Sequence, residues 1–244
     1  TLKVFHWNIH HGVGTDGVYN LSRFVTWIAN SGANVVSLNE VERFTGWGNE
    51  DQPARFAALL KSLTGKTWYY HFAQRNGNAT GQGNLILTTY PLTSTASYEL
   101  SGDRSVSRVS ITVNGRIINM FSTHLDDNSS SMRATQMNQL KSWMANFAEQ
   151  RIVAGDFNTW PSAGEITRMT SSYYDAWAVA AAAGTDVSFS GNNGETRNSR
   201  IDYIFYSKGA SYLVLKQARV FDTRTSSGVM PSDHRPLMAT FEVR

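Results

Sequence analysis

Six segments of the chain run apolar and then stop at an acid, an amide or an imidazole. They contribute Asn8, Glu40, His124, Asp156 with Asn158, Asp202, and Asp233 with His234. The most informative is Ile152-Val153-Ala154-Gly155-Asp156-Phe157-Asn158, which reads as a buried strand ending at a polar rim. Side chains alternate across a strand, so Asp156 and Asn158 point to one side and Phe157 to the other. An anion and an amide at one strand end suit holding a water and an oxyanion beside a cation. Gly155 lets a neighbour approach the backbone closely. An ordinary Asx turn uses the same residue types, so the weight lies in six such exits occurring in one chain.

The donor types favour a hard cation. Carboxylate and amide oxygens suit Mg2+, Ca2+ or Mn2+, and a chain without Cys offers no thiolate site. Glu40 with Asn8 makes a sparse oxygen site that leaves room for water and a substrate phosphate, the habit of Mg2+. Two histidines among acids suit phosphate-ester hydrolysis, because imidazolium and metal both stabilise charge on phosphoryl oxygens. Asp202 is the candidate partner that orients His234. Each residue has a plainer reading as well. His124 fits a buried strand histidine, Glu40 a helix cap, and Ser232-Asp233 simple turn chemistry. At most one of His10 and His11 faces the site. Trp160 either stacks on a base or sugar or caps the core beneath Pro161.

The elements that must position these groups follow in order. Strands are expected at Leu2 to Asn8, Val35 to Glu40, Thr67 to Phe72, Asn84 to Thr89, Thr93 to Glu99, Ser107 to Val113 and Arg116 to His124. Further strands are expected at Ile152 to Asp156, Ile201 to Tyr206, Tyr212 to Phe221 and Leu237 to Val243. Asn114-Gly115 is a hairpin signal. Helices are expected from about Asn20 to Ala29, Gln52 to Leu63, Met132 to Gln150, Pro161 to Met169 and Tyr174 to Ala183. Ser188 to Asn198 is polar, Gly-rich and aperiodic, a loop for the site mouth. Many strands with helices interspersed predict two stacked sheets flanked by helices.

Composition sets outer limits. The chain has 244 residues, 41% hydrophobic and 17% charged, enough for one large two-sheet domain spanning residues 1–244. The net charge of +3 is a mild bias that tolerates a phosphate-bearing partner, and no basic run resembles a nucleic-acid tail. No apolar run approaches a membrane span. Low charge with many Asn, Ser, Thr and Gly leads us to expect an exported bacterial protein whose leader has been removed.

Taken jointly, Trp7-Asn8-Ile9, Leu38-Asn39-Glu40, Thr123-His124-Leu125, Gly155-Asp156-Phe157-Asn158, Ile201-Asp202-Tyr203-Ile204 and Ser232-Asp233-His234-Arg235-Pro236 resemble the endonuclease/exonuclease/phosphatase (DNase I-like) superfamily. The resemblance runs in order from residue 4 to about 243. It implies a four-layered α/β sandwich, two mixed β-sheets flanked by helices, and a divalent-metal phosphoesterase. Carried over, Glu40 would ligate the metal with Asn8 close by and Asp233 in support. Asp156 and Asn158 would orient the attacking water, His234 held by Asp202 would act on the nucleophile side or on phosphoryl charge, and His124 would contact phosphate or the leaving group. Two departures stand out. Asn39 replaces the usual Gln before the metal Glu, and Asn8-Ile9-His10-His11-Gly12 resembles a bacterial branch in which His10 is an added site residue.

The leading functional expectation is a monomeric phosphodiesterase acting on a small or lipid-derived phosphodiester. The alternative is a secreted nonspecific nuclease, with Arg104, Arg108, Arg133, Arg197 and Arg200 either lining a phosphate track or forming a solvated surface. A monoester phosphatase, which the same site would serve, and a non-catalytic binding module on the same fold complete the set. Low-ranked substrate contacts are His10, Arg108 and Trp160.

Overall fold

The computed structural model describes residues 1–244. In chain order the elements are β1 (Leu2–Asn8), α1 (Leu21–Ser31), β2 (Val35–Arg43), α2 (Gln52–Thr64), β3 (Tyr69–Gln74), β4 (Gly81–Thr88), β5 (Leu92–Leu100), β6 (Arg104–Val113) and β7 (Arg116–His124). There follow α3 (Ser130–Met144), β8 (Arg151–Asp156), α4 (Gly164–Thr170), β9 (Tyr173–Asp175), α5 (Ala176–Ala183), β10 (Asp186–Val187), β11 (Asp202–Ser207), β12 (Leu213–Val220) and β13 (Leu237–Val243). One sheet has the order β10-β12-β13-β1-β2-β4-β3 and the other β5-β6-β7-β8-β11-β9. Both are mixed, with β1–β2 and β7–β8 parallel at their centres.

Strand alternation builds the layers. On β1, Leu2 and Val4 enter a cluster of 24 buried residues between the sheets, together with Val109, Ile118, Ile152, Ile204 and Phe241. Phe5 and Trp7 point the other way, into a 17-residue cluster with Phe24 and Ile28 of α1 and Phe56 and Leu60 of α2. On the second sheet, Val153 and Phe205 pack outward against Met137, Leu140 and Met144 of α3. Each sheet therefore buries both faces, one on its partner and one on helices. This is the expected four-layered α/β sandwich.

Local chemistry sets the helix ends. The Asn20 side chain accepts from Ser22 N at 3.0 Å to start α1, and Gly32 at φ +69° stops it. Asn114 and Gly115 take φ +49° and +75° and close the β6–β7 hairpin. Three helices are shorter than expected. The third stops at Met144, and the chain then turns so that Gln150 N can bond Ile117 O at 3.4 Å at the entry to β8. The fourth begins at Gly164 rather than Pro161. The fifth begins at Ala176, because Asp175 caps Trp177 N at 3.1 Å while Tyr173 to Asp175 pair with β11. No helix is long and apolar enough to cross a membrane.

Candidate active site

Register brings the polar exits together. Within the second sheet His124, Asp156 and Asp202 are consecutive cross-strand partners. Within the first, Asn8 sits beside Asn39. All five follow the parity that elsewhere on their strands faces the other sheet, so the inter-sheet core turns polar at this one edge. Glu40 has the wrong parity, since Val36 and Leu38 point to the helices. A register irregularity between Leu38 and Val41, with Glu40 at φ +53°, turns its carboxylate back to the site. Asn8 Nδ2 then donates to Glu40 Oε1 at 2.9 Å and to Asp156 Oδ2 at 3.0 Å, joining carboxylates from the two sheets.

His234 arrives from the loop before β13. That loop is fastened to β1: Ser232 Oγ donates to Asn8 O at 2.6 Å, and Trp7 Nε1 donates to His234 O at 2.8 Å. His234 Nδ1 lies 2.7 Å from Asp202 Oδ2, so its Nε2 faces Asp156 Oδ2 at 3.7 Å. Burial alone would depress the imidazole. The charges of Asp202, Asp156 and Asp233 outweigh it and raise His234 to about 10. Asp202 is also buried, yet His234 and His6 hold it below the usual carboxylate range. Its remaining lone pairs are used by His6 Nε2 at 3.0 Å and Thr196 Oγ1 at 2.5 Å. Asp156 goes the other way: burial and the neighbouring Asp202 charge raise it to about 7.

His124 stands on the far side of Asp156, its Nε2 3.5 Å from Asp156 Oδ2. Arg104 Nη1 approaches His124 Nδ1 at 3.4 Å. Asn158 Nδ2 stands 3.1 Å from His124 Nε2, so both ring nitrogens face donor groups. Burial and the Arg104 charge push His124 well below the ordinary histidine value, so it is neutral at neutral pH. Asn158 takes φ +51°, and its Nδ2 donates to Leu125 O at 2.9 Å. These groups line an open cleft of about 410 Å³ with no apolar residue in its wall, rimmed by Arg75, Arg104 and Arg197.

A cation fits this edge. Asp233 Oδ1 is buried with no hydrogen-bond partner, while its Oδ2 pairs with Arg197 at 2.9 Å. Glu40 Oε2 meets only His11 Nε2, at 3.3 Å. Glu40, Asp233 and Asp156 thus supply hard oxygens. Asn8, expected close to the metal, bridges the acids here. Its oxygen accepts from His10 N at 3.1 Å and its amide nitrogen donates to Glu40 and Asp156, so it orients both carboxylates. Asp156, Asp202 and His234 also bring ligating atoms within 4.8 Å of one another. The bonds among Asp202, His234, His6 and Thr196 already fill most of those positions, which favours Glu40 with Asp233.

His10 lines the cleft as expected, and His11 lines it too, against the expectation that at most one of the two would. Burial would lower His11, but the hydrogen bond it donates to Glu42 and the Glu40 charge raise it. Arg108 and Trp160 are not brought to the cleft. Arg108 Nε donates to Asn119 Oδ1 at 3.0 Å and Nη1 to Ser94 Oγ at 2.8 Å, because its strand position faces the helix layer under Phe147. Trp160 is 56% exposed and caps nothing. Sequence reading missed His6, whose place two residues before Asn8 on one strand was the available signal. It also left Asn39 in doubt. The shorter amide is fully used, accepting from Asp156 N at 2.8 Å and donating to Asn84 Oδ1 at 2.8 Å.

Comparison with known proteins agrees with this geometry. The family model described as Endonuclease/Exonuclease/phosphatase family matches residues 5–234. No curated protein matches the sequence. Among solved structures, the endonuclease/exonuclease/phosphatase from Beutenbergia cavernae DSM 12333 is 20% identical with a TM-score of 0.76, over 99% of this chain and 71% of that one. A mannosyl-6-phosphatase of Bacteroides thetaiotaomicron VPI-5482 is 16% identical with a TM-score of 0.74, over 99% of both chains. The human Nocturnin catalytic domain with bound sulfate is 21% identical with a TM-score of 0.75, over 100% of this chain and 94% of that one.

Proposed function

The chain belongs to the endonuclease/exonuclease/phosphatase family, and from that premise we propose that it is a divalent-metal-dependent phosphodiesterase acting on a small, polar phosphodiester. The observation that carries the reading is a cleft walled only by polar and charged side chains, where four acids, four histidines and three arginines converge. A lipid tail or a stacked base finds no apolar wall in it. The nuclease reading loses support because the arginine track is not there. Arg108 is spent on Asn119, Arg133 on Glu165 at 3.1 Å and Arg200 on Asp175 at 2.6 Å, which leaves Arg104 and Arg197.

The roles follow from the geometry. Glu40 and Asp233, with Asp156 adjoining, are the residues that would hold a divalent cation, Mg2+ being the first choice. When bound, that cation neutralises charge on the phosphoryl oxygens. Asp156, titrating near neutrality, takes the proton of the attacking water. Asn158 positions that water beside it. His234, fixed through Nδ1 by Asp202, presents a cationic Nε2–H to the phosphoryl oxygen. His124, neutral and on the opposite side of Asp156, is placed toward the leaving oxygen. Arg104 and Arg197 draw the anion into the cleft.

The test compares bis-p-nitrophenyl phosphate, glycerophosphodiesters and plasmid DNA, with Mg2+ and with chelator. Small diesters are hydrolysed only with metal, and plasmid stays intact. His124→Ala and His234→Ala each lower turnover by about 10²–10⁴-fold with unchanged circular dichroism. Wild-type turnover in either variant overturns the assignment of roles, and metal-dependent nicking makes the protein a nuclease.

A further inference from the structure

A second cleft of about 460 Å³ opens beside the first and shares His11, Arg75 and Gln82 with it. Its only apolar wall is Trp47. That ring is stacked on His11, with centroids 4.8 Å apart and planes 7° from parallel, and is 44% exposed. Since His11 itself pairs with Glu40 and Glu42, the indole is set in orientation by the candidate active site. Apart from Glu42, whose Oε1 accepts from His11 and Gln82, the rest of the wall is mostly neutral and hydrogen-bonding. It includes Thr45, Thr80, Asn78 and Gln82, with Arg75, which has no carboxylate partner, at the junction.

We propose that this second cleft holds the sugar, or a sugar-like polyol, of an ester whose phosphate sits in the first. The inference rests on the phosphoesterase reading and names the alcohol. Amides and hydroxyls both donate and accept, as a ring of hydroxyl groups requires. A single indole gives one weakly polar plane, and a pyranose has one weakly polar face. A nucleobase has two apolar faces and would want a second such wall, which the cleft lacks. Arg75 lies where the phosphate meets the alcohol, within reach of either.

The experiment uses esters that share the phosphate and differ in the alcohol: ethyl, hexose and nucleoside, each as monoester and as methyl diester, with Mg2+. In the wild type the hexose esters lead the ethyl esters by about tenfold or more in kcat/KM, with the difference in KM. Trp47→Ala and the pair Asn78→Ala/Thr80→Ala each remove that preference, and Trp47→Phe retains it. Equal kcat/KM for ethyl and hexose esters, leadership by nucleoside esters, or a preference untouched in Trp47→Ala overturns the inference while leaving a phosphoesterase. If no ester is turned over, the phosphoesterase reading fails instead. Calorimetry with hexose 6-phosphate then judges the cleft: binding lost in Trp47→Ala supports it, and no binding in the wild type overturns it.

Discussion

Of two histidines within reach of one carboxylate, one is cationic and one neutral at neutral pH, and the difference lies in who stands behind each. Burial lowers both rings; Asp202 with Asp156 overturns that at His234 and raises it to about 10, whereas Arg104 adds to it at His124. His124 therefore makes stability pH-dependent. Its folded value lies below the unfolded value of about 6.5, so the unfolded chain binds more protons in that window. The contribution is complete above about 6.5 and is lost as pH falls toward the folded value. Asp156, raised to about 7, has the opposite sign, losing stability as pH rises from the ordinary carboxylate range. The difference between wild type and His124→Gln isolates the histidine. In urea melts without metal, the wild type loses more stability than the variant between pH 7.5 and pH 5. Parallel curves would mean that His124 titrates alike in the folded and unfolded chain.

Strand β8 shows how an element delivers a residue. Its Gly155 pairs with Thr123 of β7, and a Cβ there would stand 2.1 Å from Thr123 O. That atom is backbone and cannot swing away, so Gly155→Ala pries apart the parallel strands carrying His124 and Asp156. The substitution is expected to cost about 1–3 kcal/mol or more, read as a lower urea midpoint, with turnover falling beyond what the unfolded fraction explains. Strand β2 shows the converse. Its alternation aims Glu40 at the helices, and only the irregular register with φ +53° recovers it for the site.

On the scale of the molecule, the site is a seam. Glu40 comes from one sheet and Asp156 from the other, while Asp233 arrives by the loop pinned to β1. A cation held there ties the sheets together and binds the folded state alone. Mg2+ is expected to raise the melting temperature by several degrees at concentrations about 100-fold above its dissociation constant, where linkage supplies about 2.7 kcal/mol. Glu40→Gln abolishes that rise and keeps the metal-free melting temperature. An undiminished rise in the variant would move the cation to the buried group of Asp156, Asp202 and His234.

Much of this was readable along the chain because it depends on neighbours in sequence. Alternation marked β1, β7, β8 and β13 to within a residue, a cap and an apolar face marked α1, and the six polar exits named Asp156, Asn158, His124, Asp202, Asp233 and His234 together with the pairing of Asp202 and His234. Other features depend on atoms far apart in sequence. Whether an arginine meets phosphate or a buried asparagine is decided by which face of β6 it occupies and what covers that face, and Arg108 lost on both counts. His6 gained a role only when folding set Asp202, 196 positions away, against it. The Asn8 amide became a bridge because two carboxylates converged on its nitrogen. Periodicity records the environment averaged along a strand, whereas a charge responds to whichever groups the packing of two sheets places within a few ångströms.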